Sequence, residues 1–146
     1  MKETNMDGTL QEKKTLIRAA LDARQNAYVP YSHYRVGAAL LTKGGRIYAG
    51  CNVENASYGA ANCAERTAFF KAVSEGERSF AAIAIAGGLD GQEVAEYAYP
   101  CGICRQIMQE FCGPDFKIFV VRSQEDYREY TLEQLLPCGF GGDSIR

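Results

Sequence analysis

Cys63-Ala64-Glu65 and Pro100-Cys101-Gly102-Ile103-Cys104 are the two stretches that decide how this chain folds. Each begins a helix predicted to follow a strand or its loop, so the two helix N-termini can meet at one edge of a sheet. A helix N-terminus lowers thiol pKa values, which favours thiolates at Cys63, Cys101 and Cys104. Three protein ligands on zinc leave the fourth tetrahedral position open for water. The spacing therefore predicts one catalytic zinc per chain, with Glu65 as the carboxylate beside it.

A closed structural zinc site is the first alternative for the same cysteines, because a fourth protein ligand would leave no place for water. The chain offers four further cysteine or histidine side chains, none of them in a second Cys-x-x-Cys pair: His33, Cys51, Cys112 and Cys138. Disulfides are a weaker alternative. Cysteines in a chain without a secretory apolar segment are typical of cytosolic proteins, which keep thiols reduced.

Glu65 has a purely structural alternative of its own. Asn62 followed three residues later by Glu65 matches the capping box, in which both side chains satisfy backbone N–H groups at a helix start. A carboxylate at that helix start would also lie within reach of water on the metal. Both roles stay open at this point.

Composition limits the classes of partner. The 146 residues suffice for a single domain with a full hydrophobic core, in which the polar residues 1–8 are expected to be flexible. No apolar stretch approaches the ~20 residues of a membrane span. The formal net charge is −2, with Lys and Arg scattered among acids, whereas a protein that binds a nucleic acid polymer usually has a basic patch. We expect a cytoplasmic protein that acts on a small molecule.

Apolar periodicity and turn residues divide the chain into alternating helices and strands. Helices are predicted over residues 10–27, after a capping box at Thr9 and Glu12, over residues 62–73, and from the second cysteine stretch to about residue 113. Strands are predicted over residues 36–42, 46–53, 80–86, 117–122 and 127–131. These elements describe a three-layer α/β domain built on one mixed five-stranded sheet. Only Ser123 to Asp126 separates the last two strands, and so short a connection requires an antiparallel pair.

The sequence resembles the small homotetrameric cytidine deaminases over about residues 10 to 141. The likeness rests on four segments: Asn52-Val53-Glu54-Asn55-Ala56, Cys63-Ala64-Glu65-Arg66-Thr67, Pro100-Cys101-Gly102-Ile103-Cys104-Arg105-Gln106 and Leu135-Leu136-Pro137. Two further segments match as well, Pro30-Tyr31-Ser32 and Val36-Gly37-Ala38-Ala39-Leu40-Leu41. It implies the three-layer cytidine deaminase-like fold and zinc-dependent hydrolysis of cytidine and deoxycytidine to uridine and deoxyuridine, in pyrimidine salvage. In the mechanism so implied, zinc hydroxide attacks C4 of the base and Glu65 carries protons to N3 and to the leaving amine.

The resemblance also implies the substrate contacts. Asn52 and Glu54 would hold the ribose 3′-hydroxyl, and their spacing at a strand end points both side chains the same way. The structural alternative for this pair is a polar strand end. Ala56 would contact the base, Tyr58 would come from a neighbouring subunit, and Phe140 would enter a neighbour's site, unless it makes a simple core contact.

Two aromatic residues depart from the family pattern. Tyr34 stands where the family places a phenylalanine against the pyrimidine ring, which retains stacking and adds a hydroxyl that needs a partner. Tyr99 precedes Pro100 where a serine is common. Arg66, and less strongly Arg105, is a candidate to donate hydrogen bonds to a metal-bound thiolate, which would offset the net negative charge of three thiolates on Zn²⁺.

Three other functions remain open on the sequence alone. A tRNA or polynucleotide deaminase of the same superfamily usually has a histidine as the first zinc ligand and a helix between the last two strands. A noncatalytic zinc-binding fold would replace water with a fourth protein ligand. Blasticidin S deaminase shares the three-cysteine motif, although the Asn52 and Glu54 pair favours an ordinary nucleoside.

Overall fold

The apolar run Phe80–Leu89 forms strand β3, the middle strand of a five-stranded sheet. The structure is a computed structural model that describes the backbone of residues 2–145 and the side chains of residues 10–145. The side chains of β3 alternate between two buried faces. The alanines at 82, 84 and 86 lie on one face, and Ile83 and Ile85 lie on the other. The prediction of a buried central strand over residues 80–86 is confirmed, and the strand continues to Leu89.

The other elements follow in alternation along the chain. Helix α1 spans Lys2–Ala23, strands β1 and β2 span Tyr34–Thr42 and Ile47–Cys51, and helix α2 spans Ala64–Ser74. After β3 come helix α3 at Gly102–Phe111, strands β4 at Lys117–Val121 and β5 at Tyr127–Thr131, and the short helices α4 at Leu132–Leu135 and α5 at Gly142–Ile145. Of the helices that the structure describes, none combines the length and apolar character that a membrane crossing requires.

The sheet has the order β2-β1-β3-β4-β5 and is mixed. Strands β3 and β4 are parallel because α3 crosses between them, and the remaining neighbours are antiparallel. The pair β4 and β5 is antiparallel, with the Asp126 N–H donating to Ser123 O at 3.3 Å in the turn that joins them. The predicted mixed five-stranded sheet and its antiparallel last pair are therefore confirmed.

Helices cover both faces of the sheet and complete the three layers. Helix α1 packs on one face against the alanines of β3, and α2 and α3 pack on the other face around Phe69 and Met108. Two glycines allow the close approach. A Cβ at Gly37 would lie 2.1 Å from Ala20 O of α1, and a Cβ at Gly50 would lie 2.6 Å from Ala68 N of α2.

Several predicted boundaries are wrong. The helical backbone of α1 begins at Lys2 rather than near residue 10, and it ends at Ala23, where the chain tightens into a 3-10 turn over Arg24–Asn26. Strand β1 begins at Tyr34, since Tyr34 pairs with Leu89. Strand β2 stops at Cys51 because Val53 bridges to Tyr28 and Asn62 instead.

Candidate active site

Three thiols meet where α2 and α3 begin, at the end of the sheet where β3 and β4 also finish. Cys63 and Cys101 are the N-cap residues of the two helices, and Cys104 lies in the first turn of α3. The Sγ atoms of Cys63 and Cys101 are 3.8 Å apart, and all three Sγ atoms lie within 4.8 Å of one another. The fold therefore brings together the three cysteines that the sequence predicts as a set.

The spacing of the thiols fits zinc. Two sulfurs that each bind a tetrahedral zinc at about 2.3 Å lie about 3.8 Å apart, which is the separation of Cys63 and Cys101. Within the described part of the chain, no further His, Cys, Asp or Glu ligand atom joins this group. None of the four candidates for a closed structural site, His33, Cys51, Cys112 and Cys138, therefore lies in position to complete it. Three ligands leave a coordination position for water or substrate.

Glu65 is almost completely buried in the first turn of α2, with 4% of its surface exposed. Burial raises the pKa of its carboxyl to about 7, and the negative charge of Cys63 adds to the rise. The capping-box alternative is wrong, because Cys63 rather than Asn62 is the N-cap of this helix. Asn62 instead donates from its amide to Thr67 Oγ1 at 3.2 Å. The carboxyl of Glu65 is thus left for another use.

Arg66 donates from Nη2 to Cys63 Sγ at 3.2 Å, whereas its buried Nε has no partner within the described residues. Hydrogen bonds from Cys104 and Arg66 lower the pKa of the Cys63 thiol to about 5. The bond to Cys63 and burial raise the pKa of Cys104. Arg105 has a different role, since it donates from Nε to Pro100 O at 2.8 Å and from Nη1 to Leu135 O at 2.5 Å. Of the two candidate arginines, the one that contacts a thiol is Arg66.

Asn52 and Glu54 lie beside the site and are held by main-chain groups. Asn52 Oδ1 accepts from the Val36 N–H and its Nδ2 donates to Tyr34 O, both at 2.9 Å. Glu54 Oε1 accepts from the N–H groups of Tyr31 and Ser32 at 3.0 and 3.1 Å, and Oε2 accepts from the Ser32 hydroxyl. Asn52 therefore binds the start of β1 and Glu54 binds the loop before it, which is the structural alternative given above. Asn52 keeps one lone pair on Oδ1 and one N–H on Nδ2 unused, and Glu54 keeps one lone pair on Oε2.

Tyr34 lies on the same face of the sheet as α2 and α3. Its ring packs over Gly87, where an added Cβ would be 2.9 Å from Tyr34 Cε2 and 3.0 Å from the Ala98 methyl. Burial raises the pKa of the Tyr34 hydroxyl, and the charge of Glu96 raises it further. The added Cβ would also lie 3.0 Å from the Tyr34 hydroxyl oxygen, so glycine at position 87 of the neighbouring strand leaves room for both the ring and the hydroxyl.

The remaining predicted substrate contacts are exposed. Ala56 lies on the surface, Tyr58 is 81% exposed and Phe140 is 59% exposed. The exposure of Phe140 contradicts the alternative of a simple core contact. A cavity of about 420 Å³ opens beside Tyr58, lined by Tyr31, Ser32, Glu54, Asn55, Tyr58 and Ala61.

Sequence reasoning missed two supports of the site. The Thr67 hydroxyl donates to Cys63 O at 3.1 Å and so holds the start of α2. The N–H groups of Tyr31 and Ser32 orient Glu54. The sequence Pro30-Tyr31-Ser32 could have indicated the N–H groups that bind Glu54, because proline followed by serine is typical of a turn with free N–H groups.

Three thiols and a buried carboxyl at two helix N-termini define a zinc-dependent hydrolase site. Residues 10–120 match the family model described as the cytidine and deoxycytidylate deaminase zinc-binding region. The chain belongs to this family of zinc-binding hydrolytic deaminases.

Known proteins resemble the chain over nearly its whole length. A cytidine deaminase from Halalkalibacterium halodurans is 47% identical over 134 residues, which cover 92% of this chain and 98% of the relative. The crystal structure of a cytidine deaminase from Burkholderia pseudomallei matches with a TM-score of 0.78 at 48% identity, covering 86% of this chain and 97% of that one. A blasticidin-S deaminase from Bacillus cereus is 28% identical over 133 residues, 89% of this chain and 93% of the relative.

Proposed function

We propose that this chain hydrolyses cytidine and deoxycytidine: water replaces the amine at C4 of the base, and uridine or deoxyuridine leaves with ammonia. The observation that carries the proposal is the buried carboxyl of Glu65, two residues after the first of three clustered thiols. The higher identity to cytidine deaminases than to a blasticidin-S deaminase supports the nucleoside substrate. We place the reaction in the cytoplasm, in pyrimidine salvage, which is consistent with six free cysteines.

Zinc bound by Cys63, Cys101 and Cys104 would supply a Lewis acid that makes its water nucleophilic near neutral pH. Glu65 takes a proton from the attacking water and passes it to N3 of the base. It then takes the proton of the new C4 hydroxyl and delivers it to the amine, so that ammonia leaves as the C4 carbonyl forms. A carboxyl whose pKa is about 7 both accepts and donates protons efficiently near neutral pH. Arg66, through its bond to Cys63, offsets part of the negative charge of the three thiolates.

The sugar site is proposed to lie in the cavity beside Glu54. The free lone pair on this carboxylate accepts the ribose 3′-hydroxyl, and the free positions on Asn52 complete the contact. Ala56 contacts the base, and Tyr34 packs against the pyrimidine ring. A nucleotide would bring a phosphate toward a carboxylate in a segment, residues 52–61, that contains no Lys or Arg. Nucleosides are therefore preferred.

The chain is proposed to assemble as a homotetramer with shared active sites. Tyr58, Ile103 and Phe140 carry large apolar side chains that are between 59% and 81% exposed around the thiol cluster. An exposed apolar patch beside a functional site is typical of an interface. In the tetramer, Tyr58 and Phe140 would each line the pocket of a neighbouring subunit.

Glu65→Gln tests the catalytic assignment. The variant retains the size of the side chain but cannot carry protons, so we expect one zinc per chain and turnover lower by about 10²- to 10⁴-fold. Elemental analysis and initial rates on cytidine measure the two quantities. Glu75→Gln, at the exposed end of the same helix, is the matched control and should behave as wild type. Near-normal turnover in Glu65→Gln would remove Glu65 from the mechanism.

Initial rates at equal concentration on five compounds test the substrate. We expect cytidine and deoxycytidine to react far faster than cytosine, CMP or single-stranded DNA. Cytosine leaves the sugar-binding groups unpaired, at a cost of about 1–3 kcal/mol per group. Faster deamination of CMP or DNA than of cytidine would contradict the nucleoside assignment.

A further inference from the structure

The connection between β3 and α3 leads to Cys101 in the thiol cluster, and much of its main chain lacks hydrogen bonds to other main-chain groups. In the part of the chain that the structure describes, residues 93–99 take part in no hydrogen bond between main-chain groups. Cys101 is also the most exposed of the three cysteines, whereas Cys104 is buried. Main-chain hydrogen bonds therefore do not fix the segment that leads to Cys101.

Tyrosine hydroxyls hold this connection instead. The Tyr97 hydroxyl donates to Asp126 Oδ1, in the turn before β5. The hydroxyls of Tyr99 and Tyr130 are 2.9 Å apart, and their rings meet edge to face with centroids 5.7 Å apart. Tyr130 lies on β5. Tyr97 and Tyr99 thus tie the segment before Pro100 to the turn before β5 and to β5 itself.

Arg128 joins the two tyrosine contacts. Its guanidinium lies 4.4 Å from the centre of the Tyr97 ring, and its Nη1 donates to the Tyr99 hydroxyl at 3.5 Å. A cation over an aromatic ring adds attraction beyond the hydrogen bonds. Pro100, which follows, is fully buried, and its carbonyl accepts from Arg105 Nε at 2.8 Å. The segment is therefore fixed from both sides immediately before Cys101.

We propose that Tyr99, through its hydroxyl bond to Tyr130, is a positioning residue that sets Cys101 at its distance from Cys63. This inference rests on the proposed role of Cys101 as a zinc ligand. Side chains that support metal ligands raise metal affinity and slow release of the ion, because a fixed ligand does not swing away. Elsewhere in the fold main-chain hydrogen bonds hold the chain in place. Before Cys101, the hydroxyl bond from Tyr99 to β5 would do so instead.

Zinc release from the holoenzyme to a chromogenic chelator tests the proposal. Tyr99→Phe removes only a hydroxyl, and we expect release about tenfold faster than in wild type. Tyr130→Phe should have a similar effect, and the double variant should be no faster than either single one, because all three lack the same bond. Tyr127→Phe is the matched control: it lies on β5, but its ring packs on Phe119 at 5.8 Å, on the other face. Its release rate should equal that of wild type.

Cobalt substitution separates positioning from a general loss of stability. In Tyr99→Phe the thiolate-to-cobalt absorption should weaken or shift, whereas Tyr127→Phe should retain the wild-type spectrum. A lower Tm in Tyr99→Phe with wild-type release and a wild-type cobalt spectrum would overturn the positioning role. A Cys101→Ser protein that retained wild-type zinc release would instead overturn the ligand assignment, and with it both proposals.

Discussion

The substitution Gly50→Ala should push helix α2, which begins at the thiol cluster, away from the sheet. The added Cβ would lie 2.6 Å from Ala68 N and 2.8 Å from Ala64 O, and both are main-chain atoms of α2 that cannot rotate away. Restoring ordinary contacts, which begin at 3.4 Å, requires a shift of about 0.6–0.8 Å. Overpacking of this kind costs about 1–3 kcal/mol of folding free energy. For a chain of this size, that corresponds to a decrease of about 3–10 °C in Tm.

The same shift should move the catalytic groups, because Cys63 is the N-cap of α2 and Glu65 lies in its first turn. A misplacement approaching 1 Å reduces catalysis by up to about 10²-fold, so we expect kcat/KM on cytidine to fall by about 10- to 100-fold. Thermal unfolding and initial rates measure the two effects. Gly44→Ala, whose Cβ would meet only Thr42 Oγ1 at 3.8 Å, is the control and should change neither. Wild-type kcat/KM in a Gly50→Ala protein of reduced Tm would refute the argument that this glycine positions the site.

Two further predictions concern the arginine at the site and the remaining cysteines. Arg66→Gln loses the charged hydrogen bond to a thiolate, so competition with a chelator should show zinc affinity lower by about 10- to 100-fold; unchanged affinity would exclude a supporting role for Arg66. Burial raises the pKa of the Cys112 thiol to about 12. In the native holoenzyme, Cys112 should therefore react with iodoacetamide much more slowly than the exposed Cys138, whereas in urea the two cysteines should react at similar rates. Peptide mass spectrometry measures both rates. Equal labelling of Cys112 and Cys138 in the native protein would contradict this.

The parts of the fold that follow from local pattern could be predicted from the sequence. The run Phe80–Leu89 is apolar at nearly every position and has glycines near its end, a pattern that favours a strand buried on both faces. The metal site could equally be predicted from the sequence, because thiols at two predicted helix starts have few other uses. The antiparallel end of the sheet followed from the length of one connection.

The parts that depend on distant partners could not be predicted. Asn62 is the better N-cap by preference, but its main chain bridges to Val53, so Cys63 is the N-cap and α2 begins at Ala64. Asn52 hydrogen-bonds main-chain groups 16 and 18 residues away. Tyr99 meets Tyr130 across 31 residues. No periodicity in the sequence indicates such pairs, since only the assembled sheet brings them together.

The three-thiol site also joins distant parts of the chain. Cys63 and Cys101 are 38 residues apart, and the segment between them contains α2, β3 and the connection to α3. A metal bonded to both closes this segment into a ring even in an unfolded chain that retains its ligands. By loop-closure entropy, a crosslink of that span disfavours the unfolded state by about 4 kcal/mol. Zinc bonded to both cysteines would thus also crosslink the middle of the domain, so removal of zinc should lower the free energy of unfolding as well as the rate of turnover.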